Sequence, residues 1–227
     1  MCSRVGFFSQ QQFLENLQNA IDNFNPNIEF TPSYNIAPSQ SISAVLNNKT
    51  FVKTHFGLIP HWAKDKSKMQ INARSETIRE KPMFKDSVKF KRCLIPANGF
   101  YEWKHEAGNK IPYWIHPTID DYFAFAGIYD EWNDYENNQI ITSSAIITTE
   151  PNKMMQDIHN RMPLILKKED WRLWLDEDID DVDSIKHLFR AFDEDLMDAY
   201  SVSSSVGSPA YDSVKCIERA ASQATLF

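Results

Sequence analysis

The chain has 227 residues, with 24 Lys and Arg against 31 Asp and Glu for a formal net charge of −7; 42% of it is apolar and 13% aromatic. That aromatic content excludes a disordered chain, and only 6 glycines exclude a collagen-like or linker composition. No apolar run approaches the roughly 20 residues of a membrane helix.

In chain order, Ser9 precedes a helical pattern with Phe13, Leu14, Leu17, Ala20, Ile21 and Phe24 on one face, so Ser9 is the expected N-cap and Pro26 lies beyond the end. Residues 25–40 carry three prolines and read as turns. Short runs rich in β-branched and aromatic residues follow at 42–46, 51–59, 93–95, 99–103, 113–116, 122–129 and 140–148, which predicts a largely antiparallel sheet system. Helical segments are expected at 75–79, 83–90, 152–158, 171–175 and 184–192. With no internal repeat and no long linker, the chain reads as one α+β domain with a mainly antiparallel, barrel-like β core surrounded by helices.

Charge is distributed unevenly. Residues 49–92 hold twelve Lys and Arg against four Asp and Glu, whereas residues 169–198 hold twelve acidic and three basic residues. The first stretch can form a phosphate-binding face despite the acidic total, or be a solvated surface; the second reads as helix surface. Cys2, Cys93 and Cys216 are too scattered for a disulfide framework or a metal knuckle, and no His or Cys pair has zinc-like spacing. With no apolar leader before the polar residues 9–12, a reduced, cytoplasmic setting is expected.

Five places can carry chemistry. Removal of Met1 would leave Cys2 with a free α-amine beside its own thiol, and reference pKa values of about 8 and about 8.5 leave both with nucleophilic fractions near neutrality. Such an aminothiol condenses with an aldehyde to an imine, and the thiol then closes a five-membered thiazolidine; the alternative is a small residue that merely follows the initiator Met. In residues 71–77 (Ile-Asn-Ala-Arg-Ser-Glu-Thr), Asn72 can orient a nucleophile, Arg74 suits a phosphate, and Ser75 can open a helix whose amides favour an anion; the same residues also serve as turn, surface and cap. In residues 93–103, two apolar strands flank a Pro-Ala-Asn-Gly turn, and Glu102 stands between Tyr101 and Trp103, either desolvated and fit for proton transfer or facing water. His159 and Arg161 lie between a helix and an apolar strand, as acid–base and phosphate groups or as helix-end and surface residues. Pro38 and Trp62 offer flat apolar surfaces that stack on bases if exposed and pack the core if buried. The remaining histidines, His55, His61, His105, His116 and His187, show no partner spacing.

Taken in order, residues 1–4, 34–38, 57–62, 71–77, 93–103 and 159–163 resemble the SRAP family, the SOS response-associated peptidase-like proteins that process abasic sites in DNA. The resemblance implies a sensor of abasic sites in single-stranded DNA. Met1 would be removed autocatalytically, and Cys2 would form a thiazolidine crosslink that shields the lesion. It further implies an associated lyase activity, ring opening and proton transfer by Glu102, imine chemistry and reversal by His159, and positioning of Cys2 by Asn72. Arg4, Arg74 and Arg161 would hold phosphates, and Pro38 and Trp62 would interrupt the base stack. No cofactor or metal is implied, and a cytoplasmic monomer, nucleoid-associated when bound to DNA, is expected. The chain departs from the family pattern at Ser3, where glycine is common, at Ala63, where some members carry a second aromatic, and at Asn160, where Asp is more usual. Two other functions share parts of this pattern: an N-terminal-nucleophile cysteine amidohydrolase, and a non-covalent single-strand-binding module.

Overall fold

The computed structural model describes residues 2–22, 24 and 29–220. In chain order its elements are β1 (Arg4–Phe7), α1 (Gln11–Ala20), β2 (Ser33–Ile36), β3 (Ser41–Leu46), β4 (Phe51–Phe56), β5 (Asn72–Arg74), α2 (Lys85–Phe90), β6 (Arg92–Ala97), β7 (Gly99–Glu106), β8 (Asn109–Pro117), β9 (Phe123–Asp134), β10 (Gln139–Thr149), α3 (Lys153–Gln156), β11 (Met162–Pro163), α4 (Trp171–Trp174) and β12 (Met197–Ser201).

Two sheets carry the architecture. Strands β9, β10, β4, β3 and β6 pair in a ring that closes from β6 back onto β9, leaving these strands no open edge along the pairing. The expected barrel-like core is therefore present, and it is antiparallel except where β10 runs parallel to β4 and to β5. The second sheet has the order β12-β8-β7-β1-β2. The barrel strands are largely buried, and Leu94, Phe125, Ala126 and Ile146 have no exposed surface. Burying each large side chain among them contributes about 1.5–3 kcal/mol relative to leaving it in water.

The Pro-Ala-Asn-Gly segment is where the chain passes from one sheet to the other. β6 belongs to the barrel and β7 to the second sheet, with only Asn98 between them. Gly99 permits this switch because a Cβ there would meet the Trp114 ring and the Ile115 carbonyl. Asn98 fixes the corner by accepting from the backbone N–H groups of Phe8 and Ser9 at 2.7 and 2.9 Å and donating to the Ser9 carbonyl at 3.1 Å.

Several local expectations need correction. Gln10, not Ser9, occupies the N-cap of α1 and its side chain makes no capping bond; the backbone of Ser9 is held by Asn98 instead. Pro26 lies outside the described residues. The proline-bearing 25–40 stretch contains β2, because an existing edge on β1 recruits it. Residues 75–80 form successive turns rather than a helix, and the Ser75 N–H donates to the Thr148 carbonyl at 2.9 Å, so it does not face an anion. Residues 184–192 make only a single helical turn over Lys186–Leu188, and the acidic 169–198 region is a series of short helical segments joined by turns and irregular chain rather than one long helix. That region nevertheless closes over Arg92, which has no exposed surface and donates to the carbonyls of Val88, Lys89, Trp174, Asp176 and Ile179.

Candidate active site

Antiparallel pairing of β1 with β7 sets Arg4 opposite Tyr101 and Val5 opposite Phe100, so the residues before β1 run toward Glu102 and beyond. Cys2 and Glu102 are both almost completely buried. Burial pushes the Cys2 thiol well above the ordinary thiol range, and the Glu102 carboxylate pushes it further. Burial likewise raises the carboxyl of Glu102, which decides between the two orientations open in the sequence: this side chain is desolvated.

Asn72 joins them from the other sheet. Its strand, β5, lies parallel to β10 with Asn72 opposite Ile146, and its Nδ2 donates to the Cys2 carbonyl at 2.8 Å. A carbonyl only accepts, so this bond fixes the amide's orientation. The Asn72 Oδ1 is buried with no hydrogen-bond partner among the described residues. The next outward residue of β5, Arg74, is exposed and makes no ion pair among the described residues.

The end of β10 gathers the rest. β11 pairs with Thr148 and Thr149, and the loop before it carries His159 and Arg161. The Arg161 N–H donates to His159 Nδ1 at 3.1 Å, so in the neutral ring the proton sits on Nε2. Burial lowers the His159 pKa, and nearby positive charge, including that of His105 on β7, lowers it further. Arg161 forks onto Glu76 at 2.7 and 2.9 Å and donates to the Thr148 carbonyl at 2.7 Å. Burial opposes ionisation of Glu76, but the hydrogen bonds from Arg161 hold its pKa below the ordinary range. Arg4 is also committed internally: it donates to Asn35 Oδ1 at 2.9 Å and to the carbonyls of Val206 and Gly207, each at 2.8 Å.

Pro38 and Trp62 each lie on a turn. Ser39 follows Pro38 with a φ of 70°, and its Oγ reaches Met69 Sδ at 3.7 Å. The bond from Gln40 N–H to the Ala37 carbonyl closes that turn at 3.1 Å, a type II geometry with Pro in its favoured position. Met69 also packs on Gly57, whose φ of 130° leaves the space a side chain would take. Trp62 is 50% exposed, which favours the stacking reading over core packing.

The basic 49–92 stretch is partly consumed within the protein. Arg92 is in the core, Lys91 pairs with Asp130, Lys66 with Asp134 and Arg79 with Asp183. Among the described residues no group of three or more His, Cys, Asp or Glu is placed to hold a metal ion, and no helix is long and apolar enough to cross a membrane. Glu76, His105 and Asp130 carry no local signal of their own, because the partner of each lies distant along the chain.

A family model described as SOS response associated peptidase (SRAP) matches residues 1–209. The chain is 46% identical over 226 residues to the abasic site processing protein YoqW of Bacillus subtilis (strain 168), covering 96% of this chain and 99% of that one. It is 34% identical over 183 residues to the abasic site processing protein HMCES of Xenopus tropicalis, covering 65% of this chain and 55% of that one. A crystal structure of a protein from Bacteroides thetaiotaomicron superposes with a TM-score of 0.85 at 28% identity, covering 97% of this chain and 100% of the other.

Proposed function

The chain belongs to the SOS response associated peptidase (SRAP) family, and from that premise we propose that it processes abasic sites in single-stranded DNA by capturing them covalently on Cys2. The observation that carries this reading is the meeting of Cys2, Glu102 and Asn72 in one buried place, brought from both sheets.

In this reading Met1 is first removed, and the α-amine of Cys2 attacks the open-chain aldehyde of the abasic sugar. Loss of water gives an imine, and the thiol then adds across the C=N bond, its sulfur to carbon and its proton to nitrogen. The net reaction releases one water and leaves a thiazolidine. Ring closure gains from the fixed proximity of the two groups on one residue. Glu102, with its raised pKa, retains a proton near neutrality longer than an ordinary carboxyl. It gives that proton to the departing hydroxyl, regains one from the nitrogen as the imine forms, and relays the thiol's proton to that nitrogen as sulfur adds to carbon. Burial keeps the thiol un-ionised until that transfer, which suppresses wasteful oxidation. Asn72 holds the Cys2 carbonyl and thereby the direction of its amine. His159, neutral with its proton on Nε2, serves the imine step and its reversal, and β-elimination at the same sugar is the lyase part of the proposal. Arg74, Arg161 and Arg4 form the cationic surroundings, with Trp62 and Pro38 as the apolar wedge.

The test is intact mass before and after incubation with a single strand bearing one abasic site. The expected result is loss of Met1 and a mass gain equal to the oligonucleotide less one water, absent in Cys2→Ala. Retention of Met1 with no adduct overturns the proposal, and turnover of glutamine or peptide without adduct moves the assignment to an amidohydrolase.

A further inference from the structure

The basis lies in a buried carboxylate beneath the exposed Trp62 turn. Asp130, on β9, is 3% exposed and accepts four hydrogen bonds. Its Oδ1 takes Lys91 Nζ at 2.6 Å and the Glu131 N–H at 2.9 Å. Its Oδ2 takes both the backbone N–H of His61 at 2.7 Å and His61 Nδ1 at 2.9 Å. Burial alone would raise this carboxyl, but the bonds from Lys91 and His61 hold it below the ordinary range, so it is ionised and can only accept. Nδ1 of His61 is therefore the donor, and Nε2 is left at the outer edge of a ring whose side chain is 55% exposed.

His61 is thus fixed twice to one carboxylate, through its main chain and through its ring. The turn it begins is fixed as well. Ala63 N–H closes onto the Pro60 carbonyl at 2.8 Å, Ile59 N–H donates to Ser143 Oγ at 2.9 Å, and the Ala63 carbonyl accepts Trp132 Nε1 at 2.7 Å. Both flanks are pinned to β9 and β10, so the turn presents Trp62 and His61 together to solvent in one arrangement. An exposed indole costs apolar surface, and a solvent-facing imidazole that holds one geometry has given up rotamer freedom. Such preorganisation is the pattern of a binding surface rather than of a solvated turn.

We propose that His61 is a further strand-contacting residue, its Nε2 meeting a phosphate oxygen beside the base that stacks on Trp62, with Asp130 as the residue that positions the ring. This rests on the reading that the chain binds single-stranded DNA. A phosphate accepts only, so the contact requires a proton on Nε2, and the ring must carry its second proton when bound. The charged groups that face it are Asp130 from β9 and, on the other oxygen of that carboxylate, Lys91 from the junction of α2 and β6.

The experiment measures binding of an undamaged, labelled oligothymidylate to the full chain and to His61→Gln over a range of salt. The expected result is that the full chain binds about 3- to 10-fold tighter than His61→Gln, and that its salt slope is steeper by roughly 0.7, one phosphate's worth on a single strand. Asp130→Asn, checked for folding by its melting curve, should lower the affinity and the salt slope as His61→Gln does while leaving the exposed imidazole in place. Equal affinities and equal salt slopes for the full chain and His61→Gln overturn the proposal. Each protein is also incubated with the abasic strand: an adduct on Cys2 alongside equal slopes sinks only the role of His61, and absence of any adduct sinks the capture reading separately.

Discussion

At the scale of single residues, the three arginines assigned to phosphate are not equivalent. Arg4 spends its donors on Asn35 and two carbonyls, and Arg161 spends its fork on Glu76, whereas Arg74 is exposed without an ion pair among the described residues. A phosphate that approached Arg161 would have to displace a bidentate carboxylate, an exchange with little net gain; one that approached Arg74 would displace only water and counterions. Arg74→Ala should therefore weaken binding of an undamaged single strand and lower its salt slope by roughly 0.7, without lowering the melting temperature. Titrations at several salt concentrations check this, and an unchanged slope would remove Arg74 from the strand interface.

Among the elements, the short strands depend on neighbours more than on their own residues. β5 has three residues and β11 two, and each exists because β10 runs on past its pairings with β4 and β9 and offers its end at the right register. The junction of α2 and β6 depends on a single side chain. Arg92 satisfies carbonyls from α2 and from the acidic region that packs over it, and burial lowers its pKa while nearby Asp176 offsets this. Lysine has three donors on one nitrogen and cannot reach carbonyls on both sides. Arg92→Lys should cost about 2–4 kcal/mol in urea unfolding, because buried carbonyls lose their partners. A loss under about 0.5 kcal/mol, the range of surface substitutions, would show that the acidic region does not depend on this residue.

Across the whole molecule, function and stability pull on the same carboxyl. The folded pKa of Glu102 is raised, so the folded state binds that proton more strongly than the unfolded chain does. Its contribution is most favourable below the unfolded carboxyl value and is lost as pH rises through the folded one. Asp130 has the opposite sign: its pKa is lowered, so its contribution is present above the unfolded value and is lost as pH falls through the folded one. Glu102→Gln should therefore melt higher than the parent at pH 8, by roughly 2–4 °C for each kcal/mol relieved, with the gap closing near pH 4. The same substitution should slow adduct formation with an abasic strand at least about tenfold. A melting temperature at pH 8 no higher than the parent's would show that the buried carboxyl carries no penalty.

The sequence by itself determined the long barrel strands, because apolar and β-branched runs at 93–95, 122–129 and 140–148 have few other places to go than a sheet buried on both faces. It also determined which residues to watch: Cys2 by its chemistry at the second position, and Glu102 by its place between two aromatics. Only the tertiary structure decided that Glu102 is buried, that Asn72 grips the Cys2 carbonyl, that Arg4 and Arg161 are engaged internally and that His61 is locked onto Asp130. It alone also made strands of residues 4–7 and 72–74 and a mere turn of 75–80. The reason is common to all of these. Burial, pairing partners and ionic contacts are set by segments tens to hundreds of residues away, and local pattern carries no record of which distant group will arrive.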